Sequence, residues 1–256
     1  MEVTAMLRLL PALVVFPCAL AASDGRASIT LDENNRFLPQ LVFGGGWRTT
    51  VTLMNFDPFS APVQVEFFAT DGSPLRVPLE GIGTFDRLTV NVAGNGVMFL
   101  ETPGDATGEL AQGWARFHYP SGVKVGGAAI LRQSVAGRPD FETAIPFTSD
   151  IRIRSGMVFD NTAGYTTAVA MVNPRDRGTI DVVVHFRDSA GGPIVTDAFT
   201  LQPREHRAYE LRSRTSAIAN RRGFAEFRVS GAGGFAYLGL LFNSSGAVTT
   251  MFSMAP

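Results

Sequence analysis

Apolar and polar residues alternate in short runs along most of this chain. In Trp47-Arg-Thr-Thr-Val-Thr-Leu-Met-Asn55, a period of two sets Trp47, Thr49, Val51, Leu53 and Asn55 on one face. Arg48, Thr50, Thr52 and Met54 fall on the other. Such alternation marks a strand buried on one side. Val63-Gln-Val-Glu-Phe67 alternates in the same way. In Gly113-Trp-Ala-Arg-Phe117, Trp114, Arg116 and His118 oppose Ala115 and Phe117. Turn formers separate the runs, as in Asp71-Gly-Ser-Pro74. No long stretch carries a capped 3.6-residue period, although 215–222 has room for one helical turn.

The pattern occurs twice. Tyr165-Thr-Thr-Ala-Val-Ala-Met-Val-Asn173 matches the first strand at a constant offset, with an aromatic, a Thr, two apolar residues and an Asn recurring in register. Ile180-Asp-Val-Val-Val184 matches the second strand, with turn chemistry again following, from Asp188 to Pro193. Gly223-Phe-Ala-Glu-Phe227 matches the third. Two copies of roughly 110 residues are each long enough to bury a core. The pattern predicts an all-β chain of two tandem antiparallel β-sandwich domains with immunoglobulin-like architecture, over residues 37–148 and 149–256. The short join at 149–155 brings the domains into contact, and residues 149–256 are expected to unfold cooperatively on their own.

Phe43-Gly-Gly-Gly-Trp47-x-Thr49, closed by Asn55 and followed by Phe67-Phe-x-x-Asp71-Gly-x-Pro74, resembles tandem sandwich repeats of exported bacterial proteins. Copy two departs from it, with Asp160-Asn-Thr-Ala-Gly-Tyr165 in place of the triple glycine and tryptophan. The resemblance implies export and a sandwich. It carries over no site residue.

The first residues point the same way. Arg8, the apolar run from Leu9 to Leu20 and the small-x-small Ala19-Leu-Ala21 have the form of a secretory signal over residues 1–21. That run is shorter than the roughly 20 apolar residues that span a bilayer. Residues 22–36 read as a polar, flexible leader. Cys18 is the only cysteine, and Pro17 stands where a lipoprotein signal has a small residue, so lipidation is disfavoured. Cleavage behind Ala21 leaves a mature chain with no thiol, no disulfide and no transmembrane segment. The expected location is periplasmic, cell-surface or extracellular.

Composition narrows the partners. A net charge of −1 gives no global attraction to nucleic acid or an anionic membrane. Arginine almost wholly replaces lysine, Lys124 being the exception, which fits a GC-rich bacterial genome. Hydrophobic content of 45% against 18% charged is globular rather than disordered.

Candidate chemistry is sparse. The nucleophile elbow, the phosphate-binding loop and the paired histidines of a zinc site are missing. His118, His185 and His206 are scattered, the first two reading as solvent-facing strand residues. Asp71 and Asp188 read as turn formers rather than calcium ligands. No cofactor or metal is expected.

Trp114 beside Arg116 is either a sugar-stacking platform, a protein contact, or a ring packed at a sheet edge or between domains. Phe56, Phe59 and Tyr119 join the sugar reading. Between Asp86 and Gln112, Asp86, Glu101, Asp105 and Glu109 face a single Arg87. The matching stretch of copy two carries Arg204, Arg207, Arg212, Arg214, Arg221 and Arg222 against Glu205 and Glu210. Opposite charge on matching loops suits docking of two domains or two molecules, with Arg221 and Arg222 as candidate partner contacts. An ordinary solvated surface is the alternative. The leading reading is an exported, non-catalytic binding or structural module, in surface attachment or extracellular assembly, with a protein or glycan partner at the cell surface. A carbohydrate-binding protein is the alternative, and a glycosidase with two carboxylates across a cleft is the third.

Overall fold

A computed structural model describes residues 34–104, 108–137, 139–230, 233–251 and 254. The expected signal, Cys18, most of the leader and Asp105 lie outside the described residues. The first half contains β1 (Asn35–Phe43), β2 (Trp47–Asn55), β3 (Ala61–Ala69), β4 (Val77–Leu79), β5 (Gly83–Phe85), β6 (Arg87–Val92), β7 (Val97–Glu101), β8 (Ala111–His118), β9 (Val125–Gln133) and β10 (Phe141–Pro146). The second contains β11 (Arg154–Asp160), β12 (Thr166–Val172), β13 (Ile180–Asp188), β14 (Pro193–Leu201), β15 (His206–Glu210), the single-turn helix α1 (Leu211–Arg214), β16 (Arg222–Ser230), β17 (Ala236–Phe242) and β18 (Val248–Met251).

These strands form antiparallel sheets of four, as a sandwich requires. In the first half the orders are β1-β8-β3-β6 and β10-β9-β2-β7. In the second they are β11-β16-β13-β14 and β18-β17-β12-β15. The two orders correspond strand for strand, with the small β4-β5 ribbon extra in the first half and α1 extra in the second.

The alternation places side chains as it predicts. Thr49, Val51, Leu53 and Asn55 are buried on the inner face of β2, while Met54 is exposed. Ala115 and Phe117 enter the first core beside Val63, Val65 and Phe67. The expected leader ends too late, because Asn35 and Arg36 already pair with His118 and Phe117. The helical turn expected within 215–222 is the 3-10 turn Ser216–Ile218, and the single α-turn Leu211–Arg214 precedes it.

The polar residues that recur between the halves hold the sandwiches together. The Thr49 hydroxyl donates to the Val42 carbonyl at 2.6 Å and accepts from the Val42 N–H. Thr167 makes the same pair of bonds to Asp160. The Asn55 amide donates to the carbonyls of Phe59, Val92 and Ala93, and its oxygen accepts from the Asp57 N–H. Asn173 does likewise with Gly178, Leu201, Gln202 and Arg175. Buried backbone groups at strand ends need such partners, and these two residue types supply them.

The halves differ in one respect that shapes the molecule. All seven residues of β12 are buried. Val169 and Met171 enter the second core. Ala168, Ala170, Leu238 and Leu240 turn the other way and join the core of the first half. The outer face of the second half's sheet thus lies across β1 and closes one side of the first sandwich.

Candidate functional site

The seam between the halves gathers Phe37, Phe68 and Trp114 of the first with Val172 and Ala236 of the second. Trp114 is 0% exposed. Phe68 stacks on its ring at 4.5 Å and 21°. Its indole N–H donates to the Arg204 carbonyl at 2.9 Å. Of the readings given for Trp114, packing between the domains is the one found, and a sugar ring has no open face to meet. Outward parity on its own sheet did place it correctly, but the second half covers that face.

Arg116 is likewise occupied within the molecule. Its Nε donates to Glu66 at 2.7 Å, and its terminal nitrogens reach Asp176 of the second half at 3.3 Å. Arg87 takes the other Glu66 oxygen. The guanidinium groups of Arg116 and Arg204 lie 5.3 and 5.6 Å from the centre of the Phe68 ring. Such contacts are worth about 0.5–2 kcal/mol according to how far they are desolvated.

His206 is a seam residue that the sequence did not single out. It is 2% exposed. Its backbone N–H donates to the Thr70 carbonyl, and Nε2 faces the Gln40 side-chain oxygen at 2.9 Å. Because that oxygen only accepts, Nε2 carries the proton of a neutral ring. Burial pushes the pKa down to about 4, with the Pro39 backbone acting in the opposite sense. His118 meets Asn35, and His185 meets Thr196 on the surface.

A cleft of about 250 Å³ opens beside the seam, lined by Glu66, Phe68, Pro74, Asp86, Arg87 and Arg204. Glycoside hydrolysis needs one carboxyl free to protonate a leaving group. Both Glu66 oxygens are committed to guanidinium groups, and Asp86 is the other carboxylate that lines the cleft. Among the described residues, no three of His, Cys, Asp and Glu cluster as metal ligands. Asp71 and Asp188 cap their own turns, accepting from Ser73 and from Ala190 and Gly192.

The charged stretches mostly pair within their own half. Arg207, Arg212 and Arg214 bind Glu205, Glu210 and Asp197. Arg204 alone reaches the first half, sharing the cleft with Asp86. Arg221 and Arg222 are exposed beside Asp160 and Asn161 of their own half, and among the described residues neither forms an ion pair with the acidic stretch. The docking expected of them within the chain is not what joins the halves. Apolar packing does so instead, with the Arg116–Asp176 contact and the hydrogen bonds of Trp114 and His206 across the seam.

The open surface of most interest is the outer face of β10-β9-β2-β7. Val97 is 51% exposed, Phe99 57% and Met54 37%, with Met54 opposite Val97 and Thr52 opposite Phe99. Gly126 and Ala128 continue these rows on β9. Phe56 and Phe59 stand exposed in the adjoining loop, whereas Tyr119 is buried. The sequence signal was the uninterrupted apolar run Val97-Met-Phe-Leu100, in which an exposed strand face keeps large side chains. Against known protein families, curated proteins and solved structures, the chain shows no match. Among the described residues, no helix is long and apolar enough to cross a membrane.

Proposed function

We propose that this chain is an exported, non-catalytic module built by duplication of one sandwich, which attaches to a protein partner in surface attachment or extracellular assembly. The observation that carries this reading is the open apolar sheet face at Met54, Val97 and Phe99. Contiguous apolar surface of this kind marks interaction sites in soluble proteins. Export rests on the signal-like segment ending at Ala21 and on the resemblance of the Gly-Gly-Gly-Trp unit to exported repeats. Mass spectrometry of protein from the native host should find a mature terminus near Ala22 without lipid. Phe99→Glu should release the protein from its cell-surface or matrix fraction while leaving its secretion intact. Cytoplasmic retention with an intact N-terminus, or unchanged retention of the variant at the surface, would each count against this function.

A carbohydrate-binding role is the second reading, and the exposure of Phe56 and Phe59 keeps it in play. Aromatic rings at a loop tip stack on sugars. A glycan array with the double alanine variant decides this: signal lost with the two rings supports it, and no signal from the intact protein removes it.

A further inference from the structure

The molecule contains one sheet-to-sandwich contact, and it carries the two surfaces for a second. Within the chain, the outer face of β12 and β17 covers the side of the first sandwich where β1 and the segment just after β10 meet. Phe37 and Thr148 close that side by exchanging backbone hydrogen bonds. In the second half, Gly156 and Met254 exchange the same two bonds at the corresponding place. Among the described residues the Phe224 ring lies against Gly156 there, and the rest of that side stays open. Val158, which occupies the position of the buried Gln40, is 53% exposed there, and Met254 is 65% exposed.

The covering face also has an uncovered counterpart. Val172 opposite Ala236, and Ala170 opposite Leu238, make up the covering face. Met54 opposite Gly126, and Thr52 opposite Ala128, hold those positions in the first half. Both faces are built of small and apolar residues at their centres. The first-half face adds Val97 and Phe99 at its open edge.

We propose that the chain binds a second copy of itself head to tail, the outer face of β2, β9 and β7 covering the β11 and Met254 side of the next molecule. The contact inside the chain is the template, so the occupant is a second half of the same kind. A contact between two different surfaces joins molecules head to tail, into rings where the rotation closes and open chains where it does not. The inference rests on the proposed assembly role but is tested on purified protein, apart from export or any host surface.

Sedimentation velocity over a concentration series, with the full chain, reads it directly. The weight-average mass should rise beyond that of a dimer. Phe99→Glu on the face, and Val158→Glu on the opposite side, should each weaken association roughly 30-fold or more, as a charge in the centre of an apolar contact does. Both positions are more than half exposed, so circular dichroism should show both variants folded. Mixed in equal amounts, the two variants retain one sound face and one sound side between them. They should form a heterodimer that grows no further. A monomer at every concentration would overturn the proposal, and so would a symmetric dimer that Val158→Glu leaves intact or a mixture that fails to pair. If the pure chain stays monomeric while Phe99→Glu still detaches it from host surfaces, self-association falls and the wider function stands.

Discussion

Two kinds of residue carry this structure out of proportion to their size. Asn55 and Asn173 each direct one amide at three backbone carbonyls from a buried strand end. Replacing either with alanine strands those acceptors and should cost about 2–3 kcal/mol in urea unfolding, with an unchanged denaturant slope. Aspartate in the same place turns a donor into another acceptor and should be at least as damaging. His206 is the other case. Its folded pKa of about 4 lies below the ordinary 6.5, because burial disfavours the charged ring. The unfolded chain therefore binds the proton first as pH falls, so stability is full above about 6.5 and declines towards pH 4. Between pH 7.5 and 5 the loss should be about 2 kcal/mol. Glu226 answers in a separate window: burial raises its pKa, yet hydrogen bonds from Arg154 and Arg228 leave it lowered, so its loss comes below the ordinary carboxylate value. Paired melts at pH 7.5 and 5 should show the His206 effect, and His206→Gln should flatten it.

At the scale of elements, the seam depends on one turn meeting another. Gly72, with φ at +82°, sits between β3 and β4, and a Cβ there would come within 2.7 Å of the Pro203 carbonyl oxygen. Gly72→Ala should thus push the β3–β4 turn away from the β14–β15 turn, besides the cost of about 1 kcal/mol for a side chain at positive φ. A red shift of Trp114 emission, as its ring loses cover, should report the separation. The strands themselves were legible: β2, β3 and β8 with their counterparts show the period of two, because each turns one face to the core of its own half. Turns were legible through Asp71 and Asp188, whose oxygens bind the backbone two residues on. The seam was not. Trp114 shows the same outward parity whether water or another sheet lies beyond it, and His206 has no local pattern to betray a neighbour brought from Gln40. One clue was present in the difference between Thr-Val-Thr-Leu and Ala-Val-Ala-Met. The second loses its polar side because both faces of β12 are buried.

That double burial decides how the whole molecule responds to being cut. Residues 149–256 hold a complete core of their own, including Phe159, Val169, Met171, Val184 and Phe227, which supports a cooperative transition in isolation. Yet the cut also exposes Ala168, Ala170, Val172, Leu238 and Leu240, each at most 8% exposed in the full chain. Burial of a leucine side chain is worth about 1.5–3 kcal/mol, so the fragment should unfold at lower denaturant than the intact protein by several such contributions. It should also bind an apolar dye and self-associate, because a flat apolar sheet face without its cover is adhesive. Leu238→Lys with Leu240→Lys should make the fragment monomeric with little loss of its own core, since both side chains join the core of the first half instead. The same pair of substitutions in the full chain should instead separate the halves and lower stability, as charges forced into the first core cannot reach water. Opposite signs in fragment and full chain are the signature of a face used as an interface. A fragment that is monomeric without substitution and as stable as the whole would mean that the covering sheet contributes nothing, and that the halves merely touch.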